Sequence, residues 1–335
     1  MAATTMQAVE QDLATLQSNG VSVGMQELLR YKALAHMLSI TPSSRSASQL
    51  AGGERSLFKG RGMEFDEARH YQAGDDIRSI DWRVTARTGK THTKIFREER
   101  ERPVFVFVDM SESMHFGTQL LFKSVQAAHM AALISWAAVG RGDKLGGIVF
   151  NEHSDIESKP RAQTKNALHF LNNLAKLQSA SVQQDKPVSN STVGKNHSGF
   201  LTALRRMHYL AKPGSLIHII SDGYDLQEEH FSLMGDISRH CELKVTFVQD
   251  PFERALPQAY DTQTLSVTDG IIRGSLTLGD QKQSHRYQEQ QSLRLEYLKT
   301  ELAKSRVQAR LVSAGTVLDR QLIARNRGFE MGVLL

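Results

Sequence analysis

Asp109, Ser111 and Ser113 stand at alternate positions directly after an apolar run, Pro103-Val-Phe-Val-Phe-Val108. One carboxylate and two neutral hydroxyls suit a hard cation such as Mg2+, which takes oxygen ligands and keeps several of its waters. The run before them has the length of a strand buried on both faces, and open α/β sheets put their ligand sites just beyond the carboxyl ends of strands. A second carboxylate, Asp222, follows a second such run, Leu216-Ile-His-Ile-Ile-Ser221, and precedes Gly223. If the two strands are neighbours, both carboxylates face one crevice. Ser198, at the start of a helix expected over 200–211, could turn its hydroxyl the same way, or it could serve as a helix N-cap. The other use of the Asp109 loop is a turn whose Asp and Ser side chains bond local backbone.

The elements that must position these groups follow from the alternation of apolar runs and amphipathic stretches. From residue 103 onward the pattern predicts strands over 104–108, 145–150, 215–220, 243–248 and 307–312. Helices are expected near 118–139, 163–177, 200–211, 226–239, 284–304 and 318–326. Repeated β–α–β units of this spacing imply an α/β fold: a central, mostly parallel sheet with right-handed crossovers and helices on both faces. Residues 262–280, with Asp269-Gly270 and Gly279-Asp280, read as a hairpin. The polar stretch 179–198 reads as a long loop that, with Met110 and Glu112, would border a partner surface.

Three segments result. Residues 1–51 hold a polar start, an N-terminal helix over 24–40 and a linker, residues 52–102 form a small β-rich segment packed on the core, and residues 103–335 form the main domain. The middle segment should carry β pieces near 55–58 and 91–97. Its alternating charges (Arg69, Asp75, Asp76, Arg78, Asp81, Arg83 and Arg87) read as an internal network, because Arg–carboxylate forks suit fixed packing. Trp82 reads as core.

The formal net charge of +5 is spread among interspersed acids, as in Arg97-Glu-Glu-Arg-Glu-Arg102, so no nucleic-acid partner is expected. The single cysteine, Cys241, rules out an intramolecular disulfide and any cysteine metal cluster, and it suits a reducing cytoplasm. No apolar run approaches the roughly 20 residues of a bilayer span, and the N-terminus has no signal-peptide pattern. A Gly-x-x-x-x-Gly-Lys-Ser/Thr loop is absent, so nucleotide hydrolysis by this chain is not expected.

The Asp109-x-Ser111-x-Ser113 loop, with a later strand-end aspartate, resembles the metal-ion-dependent adhesion site of von Willebrand factor A domains. The resemblance maps that ligand set onto Asp109, Ser111, Ser113 and Asp222, with Ser198 in the slot usually held by threonine, aligned on Thr202-Ala-Leu204. Upstream, Gly60-Arg-Gly-Met-Glu-Phe-Asp-Glu-Ala-Arg-His-Tyr-Gln-Ala-Gly-Asp-Asp-Ile-Arg-Ser-Ile-Asp-Trp-Arg-Val-Thr-Ala-Arg87 resembles the signature of the family called domain of unknown function 58. The two motifs together imply a von Willebrand A-like core and a non-catalytic partner of MoxR-type AAA+ ATPases, acting as an adaptor in chaperone-like assembly or metal insertion. They imply a divalent cation, Mg2+ first with Mn2+ or Ca2+ as alternatives, whose shell is completed by an Asp or Glu of a client protein. The competing expectation is a metal-assisted hydrolase at the same site, with Glu112 or His115 as base.

Overall fold

The computed structural model describes residues 2–38, 63–72, 74–98, 102–183, 198–256, 263–268 and 273–326. The chain divides into two compact units, one of residues 1–43 with 103–335 and one of residues 44–102. The larger unit starts with α1 (Ala2–Leu16) and α2 (Met25–Leu34). The smaller unit pairs β1 (Met63–His70) antiparallel with β2 (His92–Glu98), with α3 (Trp82–Thr88) between them in sequence. The larger unit then resumes with β3 (Pro103–Asp109), α4 (Lys123–Gly140), β4 (Lys144–Phe150), β5 (Asp155–Arg161) and α5 (Thr164–Gln183). It continues through α6 (Ser198–Leu210), β6 (Leu216–Ser221), α7 (Glu228–Ser238), β7 (Glu242–Gln249) and the short α8 (Pro251–Arg254). A hairpin of β8 (Gln263–Thr268) and β9 (Arg273–Leu278) precedes α9 (Gln281–Lys304), β10 (Gln308–Ser313) and α10 (Leu318–Asn326).

Six strands form one sheet in the order β10-β7-β6-β3-β4-β5, parallel throughout except for β5, which runs antiparallel to β4. The β3 sequence explains its central place. Side chains of a strand alternate between faces, and here both alternating sets are apolar. Val104, Val106 and Val108 join the core formed with α1, α2, α4, α5 and α10, whereas Phe105 and Phe107 join the core formed with α6, α7 and α9. Nearly every side chain of α4 from Lys123 to Ala138 is buried, as expected of a helix that is apolar all round. It stops where Gly142, at φ +82°, takes the left-handed conformation; Gly142 N–H donates to Val139 O and Asp143 N–H to Ala138 O, both at 3.0 Å. This is the two-bond helix stop that favours glycine. It accounts for the Arg141-Gly142-Asp143 tripeptide as a helix-to-strand turn.

Several expectations change. Residues 2–16 form a full helix where only a polar start or short helix was expected. The helix expected from 118 starts at Lys123, because Thr118 is held in the preceding loop: its N–H and hydroxyl donate to the Asp250 carboxylate at 2.8 and 2.5 Å. The helix expected to end at 177 runs on to Gln183. Strand β5 was missed, because Asp155-Ile-Glu-Ser-Lys-Pro-Arg161 lacks an apolar pattern; as an edge strand it needs none and tolerates proline. In the smaller unit, β1 and α3 were not anticipated, and the β piece near 55–58 lies outside the described residues. Trp82 is 68% exposed, not core. Of the alternating charges, Arg69 pairs with Asp75 at 2.6 Å. Asp76 and Asp81 instead accept from backbone N–H groups at the starts of the Ile77–Ser79 turn and α3, because an aspartate just before a helical turn is placed to cap it. No helix among the described residues is long and apolar enough to cross a membrane.

Candidate metal centre

From β3 the chain runs outward in one direction through β4 and returns on the other side as β6. The helix after β3, α4, packs on one face, and the helix before β6, α6, packs on the other. The carboxyl ends of β3 and β6 therefore flank the point where strand order reverses, which is where open α/β sheets leave a crevice. Val108 is in register with Ile220, so Asp109 and Ser221 emerge side by side.

Asp109 is almost fully buried. Its Oδ1 accepts from the Ser111 N–H at 3.0 Å, and its Oδ2 accepts from the Ser221 hydroxyl at 2.7 Å. The Ser111 and Ser113 hydroxyl oxygens are 3.3 Å apart. The turn foreseen for the loop is present, with the carboxylate bonding the local backbone, and the Ser111 and Ser113 hydroxyls adjoin each other beside it. Asp222 Oδ1 accepts from the Tyr224 N–H at 2.8 Å, and Oδ2 accepts from the Lys123 ammonium at 2.8 Å. Asp109, Ser111, Ser221 and Asp222 line one cavity, walled also by Glu152 and Phe200. Its volume of about 30 Å³ has room for an ion or a water or two. Below it, Phe107, Phe150 and Phe200 meet in tilted and edge-to-face contacts with ring centres 4.6, 5.3 and 5.4 Å apart, which packs the start of α6 against β3 and β4.

Burial pushes the Asp109 carboxyl up to about 7, and the negative charge of Asp222 adds to the shift against the hydrogen bonds from Ser221 and Ser111. Burial likewise raises Glu152, whose Oε1 accepts from the Glu112 N–H at 2.6 Å. For Lys123 burial pulls the other way, but Asp222 and Glu253 outweigh it and hold the ammonium above its ordinary range. Among the described residues no three His, Cys, Asp or Glu side chains converge as a metal-ligand set. A cation here would rest on Asp109 and the hydroxyls of Ser111 and Ser113. That all-oxygen set suits a hard ion, and positive charge is what the raised Asp109 carboxyl lacks.

The sequence-derived set is brought together for Asp109, Ser111, Ser113 and Asp222. Ser198 opens α6 as foreseen, its neighbour Gly199 lines the cavity, and its hydroxyl lies outside the described side chains. Neither Glu112 nor His115 lines the cavity. The sequence reading missed Ser221, Glu152 and Lys123. The first two had a signal, since each sits at the carboxyl end of a strand adjoining β3 or in the turn just after it. Lys123 had none.

The model of the family described as protein of unknown function DUF58 matches residues 67–295, a span that includes every cavity residue named above. The chain belongs to this family. Uncharacterized proteins of Mycobacterium bovis and Mycobacterium tuberculosis are each 30% identical over 241 residues, covering 72% of this chain and 72% of theirs. Among solved structures, a conserved hypothetical protein, BatB from Bacteroides thetaiotaomicron, is similar at 16% identity with a TM-score of 0.37, covering 68% of this chain and 99% of that one. An aerotolerance-related membrane protein from Bacteroides fragilis is similar at 16% identity with a TM-score of 0.32, covering 61% and 99%.

Proposed function

We propose that this family member is a non-catalytic, divalent-cation-dependent protein-binding adaptor with a von Willebrand A-like core. It would work in the cytoplasm with a MoxR-type AAA+ ATPase in chaperone-like assembly or metal insertion. The observation that carries the reading is the ion-sized cavity at the strand-order reversal, where the buried Asp109 carboxylate sits beside the Ser111 and Ser113 hydroxyls. The resemblance to the adhesion site supports it, since Asp109, Ser111 and Asp222 of the five mapped residues line the cavity and the Ser113 hydroxyl adjoins that of Ser111. Bound Mg2+ would supply an electrophilic centre that a client's Asp or Glu can complete. Asp109, Ser111 and Ser113 hold that ion in this reading, Asp222 stands at its margin, and the Phe107–Phe150–Phe200 stack keeps the strand ends fixed.

Thermal unfolding tests this directly. Wild type and Asp109→Ala are compared in EDTA and with Mg2+, Mn2+ or Ca2+ titrated in. A ligand that binds only the folded state adds about 2.7 kcal/mol at a hundredfold excess over Kd. The expected result is a saturable upward shift in wild type that Asp109→Ala lacks, together with cation-dependent capture of the AAA+ ATPase and a changed ATPase rate. Identical behaviour of the two proteins in every cation would refute the site.

A further inference from the structure

Lys123 is the buried cation of this region, and its placement is costly. Its side chain is only 2% exposed, and lysine is almost never buried unless paired. It is also the first residue of α4, where the helix dipole already presents positive charge, so an ammonium there is opposed. Two carboxylates from different strand ends offset that cost: Asp222 after β6, at 2.8 Å, and Glu253 in α8 after β7, at 2.5 Å. Glu253 is itself fixed, since its Oε2 accepts from the Asp250 N–H at 2.9 Å. An apolar side chain with neutral neighbours often fills such a space at no loss of stability. The ion triad beside the cavity therefore calls for a use other than stability.

We propose that Lys123 is a positioning residue of the cation cavity: its ammonium engages Asp222 Oδ2 and takes that carboxylate out of the cavity's charge balance. Asp109 then remains as the buried carboxylate beside the Ser111 and Ser221 side chains, with Glu152 and Asp225 also lining the cavity. The ion keeps most of its positive charge and an open place, which is what capture of a partner's carboxylate requires. This inference rests on the adaptor reading and deepens it, because it assigns the residue that keeps Asp222 from completing the cation's shell.

The test uses the metal alone. Mg2+ and Mn2+ are titrated by calorimetry into wild type, Lys123→Met and Lys123→Met/Glu253→Gln, with thermal unfolding followed in parallel from an EDTA baseline. The double variant removes the second orphaned carboxylate, so it serves where Lys123→Met alone fails to fold. With Lys123 gone, the ion can neutralise Asp222 as well. Cation binding is then expected to tighten several-fold, and the cation-induced rise in Tm to exceed that of wild type. Adding Asp222→Asn to the double variant should abolish the gain. A purely structural lysine would lower the baseline Tm and leave cation affinity unchanged, and that result overturns this proposal alone. A wild type that binds no divalent cation overturns it together with the adaptor reading.

Discussion

Asp109 is a side chain whose burial opposes its own charge. A carboxyl at about 7 in the native state, against about 3.9 in the unfolded chain, means that the native protein binds more protons between those values. Stability therefore falls as pH rises from about 4 through about 7. The variant Asp109→Asn keeps the shape and drops the charge. In EDTA it is expected to match wild type near pH 4 and to exceed it at pH 8 by on the order of a few kcal/mol, read from denaturant midpoints. A variant no more stable than wild type at pH 8 would show that the buried carboxylate costs nothing. With a divalent cation present, the order at pH 8 should narrow or reverse, because the ion supplies the missing charge to Asp109 alone.

At the scale of elements, the ends of strands carry the specificity. The turn after β6 depends on Gly223, which has φ +68° and follows Asp222 directly. Its N–H donates to the Ser221 hydroxyl at 3.0 Å, the same hydroxyl that donates to Asp109. A Cβ on this residue would lie 2.5 Å from the Phe247 ring, besides straining the left-handed backbone. Gly223→Ala is therefore expected to cost about 1–3 kcal/mol and to loosen the Ser221–Asp109 hydrogen bond. Denaturant unfolding measures the first effect and cation titration the second; a variant with unchanged unfolding and cation binding would show that the turn relaxes freely.

The larger unit is built around α4, and the N-terminal helices are part of that packing. Glu27 in α2 and His129 in α4 are both buried and hydrogen-bonded at 2.5 Å, and the Trp136 Nε1–H donates to the Leu28 carbonyl at 3.0 Å. Removing one member of a buried hydrogen-bonded pair leaves the other without its partner, typically at about 1–3 kcal/mol. Glu27→Leu should lose about that much, and Glu27→Leu/His129→Leu should recover a substantial part of it. Equal stability of the single variant and wild type in chemical denaturation would mean that α2 is only loosely held. The smaller unit uses its acids differently, with Asp76 and Asp81 capping local helical turns.

The sequence alone determined most of the elements in the main domain, the burial of β3 and β6 on both faces, and the placement of Asp109 and Asp222 at strand ends. Those features rest on local physics: unbroken apolar runs buried on both faces, helices at the period of an apolar stripe, and acids placed where strands stop. Polar edge strand β5 was illegible, because an edge strand requires no apolar pattern. Trp82 misled for the converse reason, since an aromatic side chain does not announce which way its helix faces. The role of Lys123 was beyond any local pattern. Its partners lie 99 and 130 residues along the chain, and only the parallel alignment of β3, β6 and β7 brings three strand ends close enough for one ammonium to join two of them.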